Sequence, residues 1–146
     1  MKRMAILAFA LLAQSAWAAD IKVDNSWLRA TVPGQQVAGA FMDITSPVNA
    51  KLISAESSVA GSMEMHSMSM KNGVMEMREI KVLPLPKGKL VKLAPGGFHL
   101  MLFDLKQPMK VGEIVPIKLT IETADKKREV VEVNAQVRDM SGSMSH

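Results

Sequence analysis

Apolar side chains recur at every second position along most of this chain, and helical periodicity is scarce. Such alternation marks half-buried strands, whose successive side chains leave opposite faces. Candidate strands run over residues 21–30, 37–45, 51–59, 63–71, 74–83, 90–93, 98–105, 114–122 and 128–138. Turn-forming residues separate them at Pro33-Gly34, Ser46-Pro47, Asn72-Gly73, 84–88, Pro95-Gly96-Gly97, 108–112 and 123–127. About 7 to 9 short strands at this spacing predict a single antiparallel β-sandwich. No internal repeat interrupts the pattern.

The two ends fall outside it. Lys2 and Arg3 precede an uncharged apolar run from Met4 to Ala13, and Ala16-Trp17-Ala18 has the small-x-small form of a signal-peptidase site. That run is about ten residues, against roughly 20 for a bilayer span. Residues 1–18 therefore read as a cleaved signal peptide, 19–139 as one β-sandwich domain and 140–146 as a short flexible tail holding Met140, Met144 and His146. No later apolar stretch reaches spanning length. The expected mature protein is exported, without a membrane span.

One hairpin stands out. Residues 62–77 read SMEMHSMSMKNGVMEM, six methionines and one histidine around Asn72-Gly73. Asn-Gly between alternating runs is a strong hairpin signal, because both residues tolerate the positive φ of a two-residue type I′ turn. With that loop, Met70 lies opposite Met75, Met68 opposite Met77 and His66 opposite Glu79. Cross-strand partners share a face, so His66, Met68, Met70, Met75 and Met77 point one way. Met63, Met65, Ile80 and Val82 point the other way, with Ser67, Ser69, Glu76 and Arg78 nearer the tip. Met63 and Met65 read as core packing, where Met is an ordinary gap-filler. The opposite face joins four thioethers to an imidazole and has no Leu, Ile or Val.

A second segment adds to that face. Pro95-Gly96-Gly97 leads into Phe98-His99-Leu100-Met101-Leu102-Phe103. Phe98, Leu100 and Leu102 are expected in the core, which sends His99 and Met101 to the other side about 7 Å apart along the backbone. Two of the three histidines thus lie in Met-containing strands. Neutral imidazoles with thioethers suit Cu(I), whereas calcium and magnesium want oxygen ligands and zinc recruits Cys, His or carboxylate. The candidate site is a His₂Met₂ set of His66, Met77, His99 and Met101, carrying Cu(I) in exchangeable form.

Composition narrows the alternatives. There is no cysteine, so disulfides, thiolate catalysis, iron–sulfur clusters and a blue-copper centre are all excluded. The formal charge of +4 falls to +2 without Lys2 and Arg3, the basic residues are scattered apart from Lys126-Lys127-Arg128, and aromatics are few. Nucleic-acid binding is not expected. No Ser-His-Asp arrangement is readable and there is no Tyr, so no catalytic residues are assigned and an enzyme is not expected.

These residues resemble the bacterial periplasmic copper chaperones of the PCuAC family. That family's pattern is His, ten residues, Met, twenty-one residues, then His-x-Met. His66, Met77 and His99-Leu100-Met101 reproduce it without insertion. Similarity extends through Asn25 to Thr31, Ala38 to Met42 and Ala94 to Leu102, and spans roughly Asp20 to Arg138. The resemblance implies a cupredoxin-like β-sandwich, one surface-bound Cu(I), a periplasmic location, and delivery to the copper centre of cytochrome c oxidase. The receiving partner would be the oxidase's copper-site subunit or a Sco-type protein.

Met68, Met70 and Met75 exceed the family pattern and read as an access path, a shuttling set or an oxidisable surface. Met144 and His146 fit either a frayed terminus or an accessory copper contact. The competing function is a β-sandwich scaffold whose Met-rich hairpin binds a partner without transferring metal.

Overall fold

The computed structural model describes residues 20–139, and those residues contain ten strands and no helix. The expected signal peptide at 1–18 and the tail with Met144 and His146 lie outside the described residues. The strands are β1 (Lys22–Arg29), β2 (Ala38–Thr45), β3 (Ala50–Glu56), β4 (Ala60–Lys71), β5 (Val74–Ile80), β6 (Leu83–Leu85), β7 (Leu90–Leu93), β8 (His99–Leu105), β9 (Ile114–Thr123) and β10 (Arg128–Arg138). They pair in the order β5-β4-β8-β2-β1-β10-β9-β3-β6, and β7 joins the far half of β2. The path curls so that apolar side chains from along its length meet in one core.

Period-two burial builds that core. On β9, Val115, Ile117, Leu119 and Ile121 turn inward while their neighbours face out. On β10, Val133, Ala135 and Val137 do the same. Leu28, Ile44, Leu52, Leu100 and Leu102 are fully buried at the centre. The expected all-β sandwich is the fold observed, with one exception to its antiparallel pairing. β1 and β10 run parallel, Trp27 opposite Gln136 and Leu28 opposite Val137. These are the first and last strands, so no hairpin constrains their relative direction.

Three local expectations need correction. The segment 74–83 is two elements, because the chain leaves β4 after Ile80 and Leu83–Leu85 pairs with β3 instead. Leu83 and Leu85 bury with Pro84 facing out, and a proline is tolerated there because β6 is an edge strand. Val82 consequently lies between elements, exposed rather than core-facing. Phe98 is likewise exposed, at 39%. It still belongs to the turn, where it bridges Leu93, and regular pairing begins only at His99.

The hairpin has the expected register throughout: Lys71 opposite Val74, Met70 opposite Met75, Met68 opposite Met77 and His66 opposite Glu79. Asn72 and Gly73 have φ of 51° and 77°, as a type I′ turn requires. On the inner face Met65 is buried, Met63 packs against the core and Ile80 joins them. Met77, on the outer face, is half exposed.

This parity predicts unequal stability effects for two methionines of one hairpin. Met65→Ala should lower unfolding free energy by about 2–5 kcal/mol through cavity formation. Met77→Ala should stay within about 0.5 kcal/mol, as for an ordinary surface site. Urea denaturation of both variants checks this, and equal losses would contradict the assignment of faces.

Candidate metal centre

The candidate ligands gather where β4, β5 and β8 lie side by side. β4 pairs with β8 so that His66 is directly opposite His99, with ring centroids 5.7 Å apart. Met101 stands opposite Glu64 on one side and Gly39 on the other. Met68 and Met77 face each other across the hairpin. Met68, Met77, His99 and Met101 line one cleft of about 470 Å³, with Arg29, Phe41 and the Pro95-Gly96 turn among its other walls. His66 is not a lining residue but sits one strand over from His99, against Phe103 at 6.0 Å between centroids.

An aromatic row supports this floor. Rings follow one another across adjacent strands: His66 to His99, His99 to Phe41 at 6.3 Å, and Phe41 to Trp27 at 4.6 Å. The Arg29 guanidinium lies 5.5 Å from the Phe41 ring centroid, within cation–π range. Gly39 leaves room for that ring, since a Cβ there would come within 3.2 Å of Phe41 Cζ. The missing side chain also keeps the floor beside Met101 open.

The Gly97 carbonyl ties the turn to both strands. It accepts from the Met68 backbone N–H at 3.3 Å and from His99 Nδ1–H at 3.1 Å. His99 therefore carries its proton on Nδ1 and presents the Nε2 lone pair. At 5% exposure, His99 is held below the usual histidine pKa of 6.5. Burial is the main cause; the Gly97 bond opposes it, and His66 and Arg29 add to it. At neutral pH the imidazole is uncharged, the form a metal needs.

His66 is 12% exposed in its side chain, and its Nε2 contacts Glu64 Oε2 at 2.8 Å. Its Nδ1 is buried and has no hydrogen-bond partner among the described residues. An orphaned ring nitrogen on the imidazole next to His99, one strand from the thioether-lined cleft, fits a soft metal. Among the described residues no three His, Cys, Asp or Glu side chains are placed to hold one. The further donors that line the cleft are the methionine sulfurs of Met68, Met77 and Met101, a chemistry that favours Cu(I) over hard cations.

The structure thus brings the four candidate residues into one neighbourhood and separates the remaining methionines. Met68 lines the cleft beside Met77. Met70 and Met75 pair with each other nearer the tip, at 66% and 46% exposure, and do not line it. Sequence reasoning missed the Phe41 wall, the Gly97 carbonyl and Glu64. The last was readable, because a residue two before His66 on a strand shares its face.

An all-β domain with one imidazole and three thioethers lining a cleft, and a second imidazole one strand over, is a candidate soft-metal carrier of the PCuAC type. Over residues 21–137 the sequence matches the family described as “Putative lipoprotein LpqE-like”, and the chain belongs to that family. The “Putative lipoprotein Lxx21020” of Leifsonia xyli subsp. xyli (strain CTCB07) is 34% identical over 124 residues, 84% of this chain and 72% of the relative. Among solved structures, the apo PCuAC domain from PmoF1 aligns with TM-score 0.67 at 28% identity, over 82% of this chain and 93% of that domain. The copper-bound PCuAC domain from PmoF2 gives 0.67 at 26% identity, over 84% and 97%. The Cu(I) form of DR1885 from Deinococcus radiodurans gives 0.55 at 28% identity, over 86% and 81%.

The depressed His99 pKa has a consequence for acid stability. Between its folded value and 6.5 the unfolded chain binds more protons. This contribution is therefore complete above pH 6.5 and is lost as pH falls toward the folded value. An NMR titration of the copper-free protein should place the His99 midpoint below 6.5, and a midpoint at or above 6.5 would contradict the buried neutral imidazole.

Proposed function

We propose that this chain is a periplasmic Cu(I) chaperone in which His66, Met77, His99 and Met101 form a His₂Met₂ site. The carrying observation is the β4–β8 register, which sets His66 against His99 while Met77 and Met101 line the adjoining cleft. Copper-bound and Cu(I)-bound domains among the similar structures support the choice of cargo. Copper is bound and handed on unchanged, so no catalytic residue is assigned.

The donors suit a carrier. All four are neutral, and thioethers bind without losing a proton. His99 is buried and anchored to the Gly97 carbonyl, whereas Met77 is half exposed on an edge strand. That asymmetry gives an order of release. An incoming ligand displaces Met77 first, while the imidazoles retain the ion until transfer is complete. Met68, also at the cleft, is an alternative thioether during exchange, with Met70 and Met75 farther along the same face.

The destination we propose is the copper centre of cytochrome c oxidase, reached through its copper-site subunit or a Sco-type protein, on the basis of the His-Met spacing. Export follows from the segment read as a signal peptide and is supported by relatives named as lipoproteins. The 146 residues contain no cysteine, so none offers a thiol for an S-linked acyl chain. No described helix is long and apolar enough to cross a membrane.

Competition against a Cu(I) chelator tests the site. Wild-type protein should withdraw one Cu(I), and combined His66→Ala and Met77→Ala should weaken the affinity at least about 10-fold, the lower range for loss of even a supporting contact. Affinity should also fall on acidification, with the His99 share of the loss appearing below pH 6.5. Unchanged affinity in the double variant would remove the ligand assignment. No Cu(I) uptake by wild type would leave the exposed Met-rich hairpin as a protein-binding surface.

A further inference from the structure

Glu64 lies on the outer face of the hairpin, within electrostatic reach of Lys81 and in direct contact with His66. It precedes His66 by two residues on β4, so both side chains leave the same face. Its β8 partner is Met101. Glu64 therefore neighbours one candidate imidazole along its own strand and one candidate thioether across the ladder. Its side chain is 38% exposed, and Oε2 meets His66 Nε2 at 2.8 Å.

An ionised carboxylate only accepts hydrogen bonds. The contact therefore requires the proton of neutral His66 to sit on Nε2, leaving the lone pair on Nδ1. That Nδ1 is the buried nitrogen without a partner. His99 is arranged the other way round, with Nδ1–H given to the Gly97 carbonyl and Nε2 left as the donor atom. Two neighbouring histidines are thus held in opposite tautomers by two different acceptors.

We propose that Glu64 is a positioning residue that fixes His66 as the Nε2–H tautomer, so that Cu(I) is taken by His66 Nδ1 and His99 Nε2. This rests on the copper-carrying reading above. Three effects follow from the geometry. The ring of His66 cannot rotate freely while Nε2–H is bonded. Donation to a carboxylate raises the basicity of the opposite nitrogen. The negative charge also offsets the single positive charge of Cu(I), which an all-neutral donor set leaves uncompensated.

Imidazole ¹⁵N NMR on the copper-free protein at neutral pH reads the tautomers directly. His66 should carry its proton on Nε2 and His99 on Nδ1. Glu64→Ala should release the His66 preference and leave His99 unchanged, whereas Glu64→Gln should keep both, since its carbonyl oxygen accepts the same bond. Cu(I) affinity by chelator competition should fall about 10- to 100-fold in Glu64→Ala, the usual range for loss of such a partner, and recover largely in Glu64→Gln. An Nδ1–H tautomer for His66 in wild type, or Glu64→Ala affinity equal to wild type, would overturn the proposal. Wild-type tautomers as expected with no Cu(I) uptake would instead overturn the carrier reading while upholding the role of Glu64 in orienting His66. If Glu64→Ala does not fold, the wild-type tautomers and the Glu64→Gln affinity still decide.

Discussion

The pairing of Met65 with Leu100 governs this molecule. Met65 lies between Leu100 on β8 and Ile80 on β5, and its side chain is buried with Leu100 on the inner face while the partly buried Ile80 packs against the same core. Strand side chains alternate, so burying Met65 obliges the next residue, His66, to face outward against His99. A one-residue slip would drive His66 into the core and expose Met65. The hydrophobic effect therefore selects the register, and the register assembles the metal centre. No ligand contact is needed to hold its parts in place.

From that constraint a contrast in burial develops across the site. His99 is rigid: buried, bonded to Gly97 and flanked by His66 and Phe41. The thioethers of the hairpin are more open, with Met68 partly buried and Met70, Met75 and Met77 all exposed. Met has three rotatable bonds and a polarisable sulfur, so these side chains can follow an ion without moving the backbone. A preorganised imidazole pair with adaptable sulfur ligands combines retention with release, the two demands placed on a carrier.

Much of this architecture was legible beforehand because it depends on local rules. Asn72-Gly73 specifies a type I′ turn, and that turn alone fixes the hairpin register from Lys71-Val74 back to His66-Glu79. His99 and Met101 follow from parity with Leu100 and Leu102. The departures depend on partners that parity within one strand does not reveal. Phe98 obeys the same parity but remains in the turn, tied to Leu93. The parallel β1–β10 contact joins opposite ends of the chain, and β6 forms because β3 offers a partner for Leu83–Leu85. Glu64 follows from parity too, since a residue two before His66 on a strand shares its face.

X-ray absorption on the copper-loaded protein tests the central claim most directly, since it reports oxidation state and the elements bound to the ion together. Cu(I) with two nitrogen and two sulfur neighbours is the predicted result, from His66, His99, Met77 and Met101. A Cu(II) edge, or a shell of nitrogen and oxygen without sulfur, would contradict it.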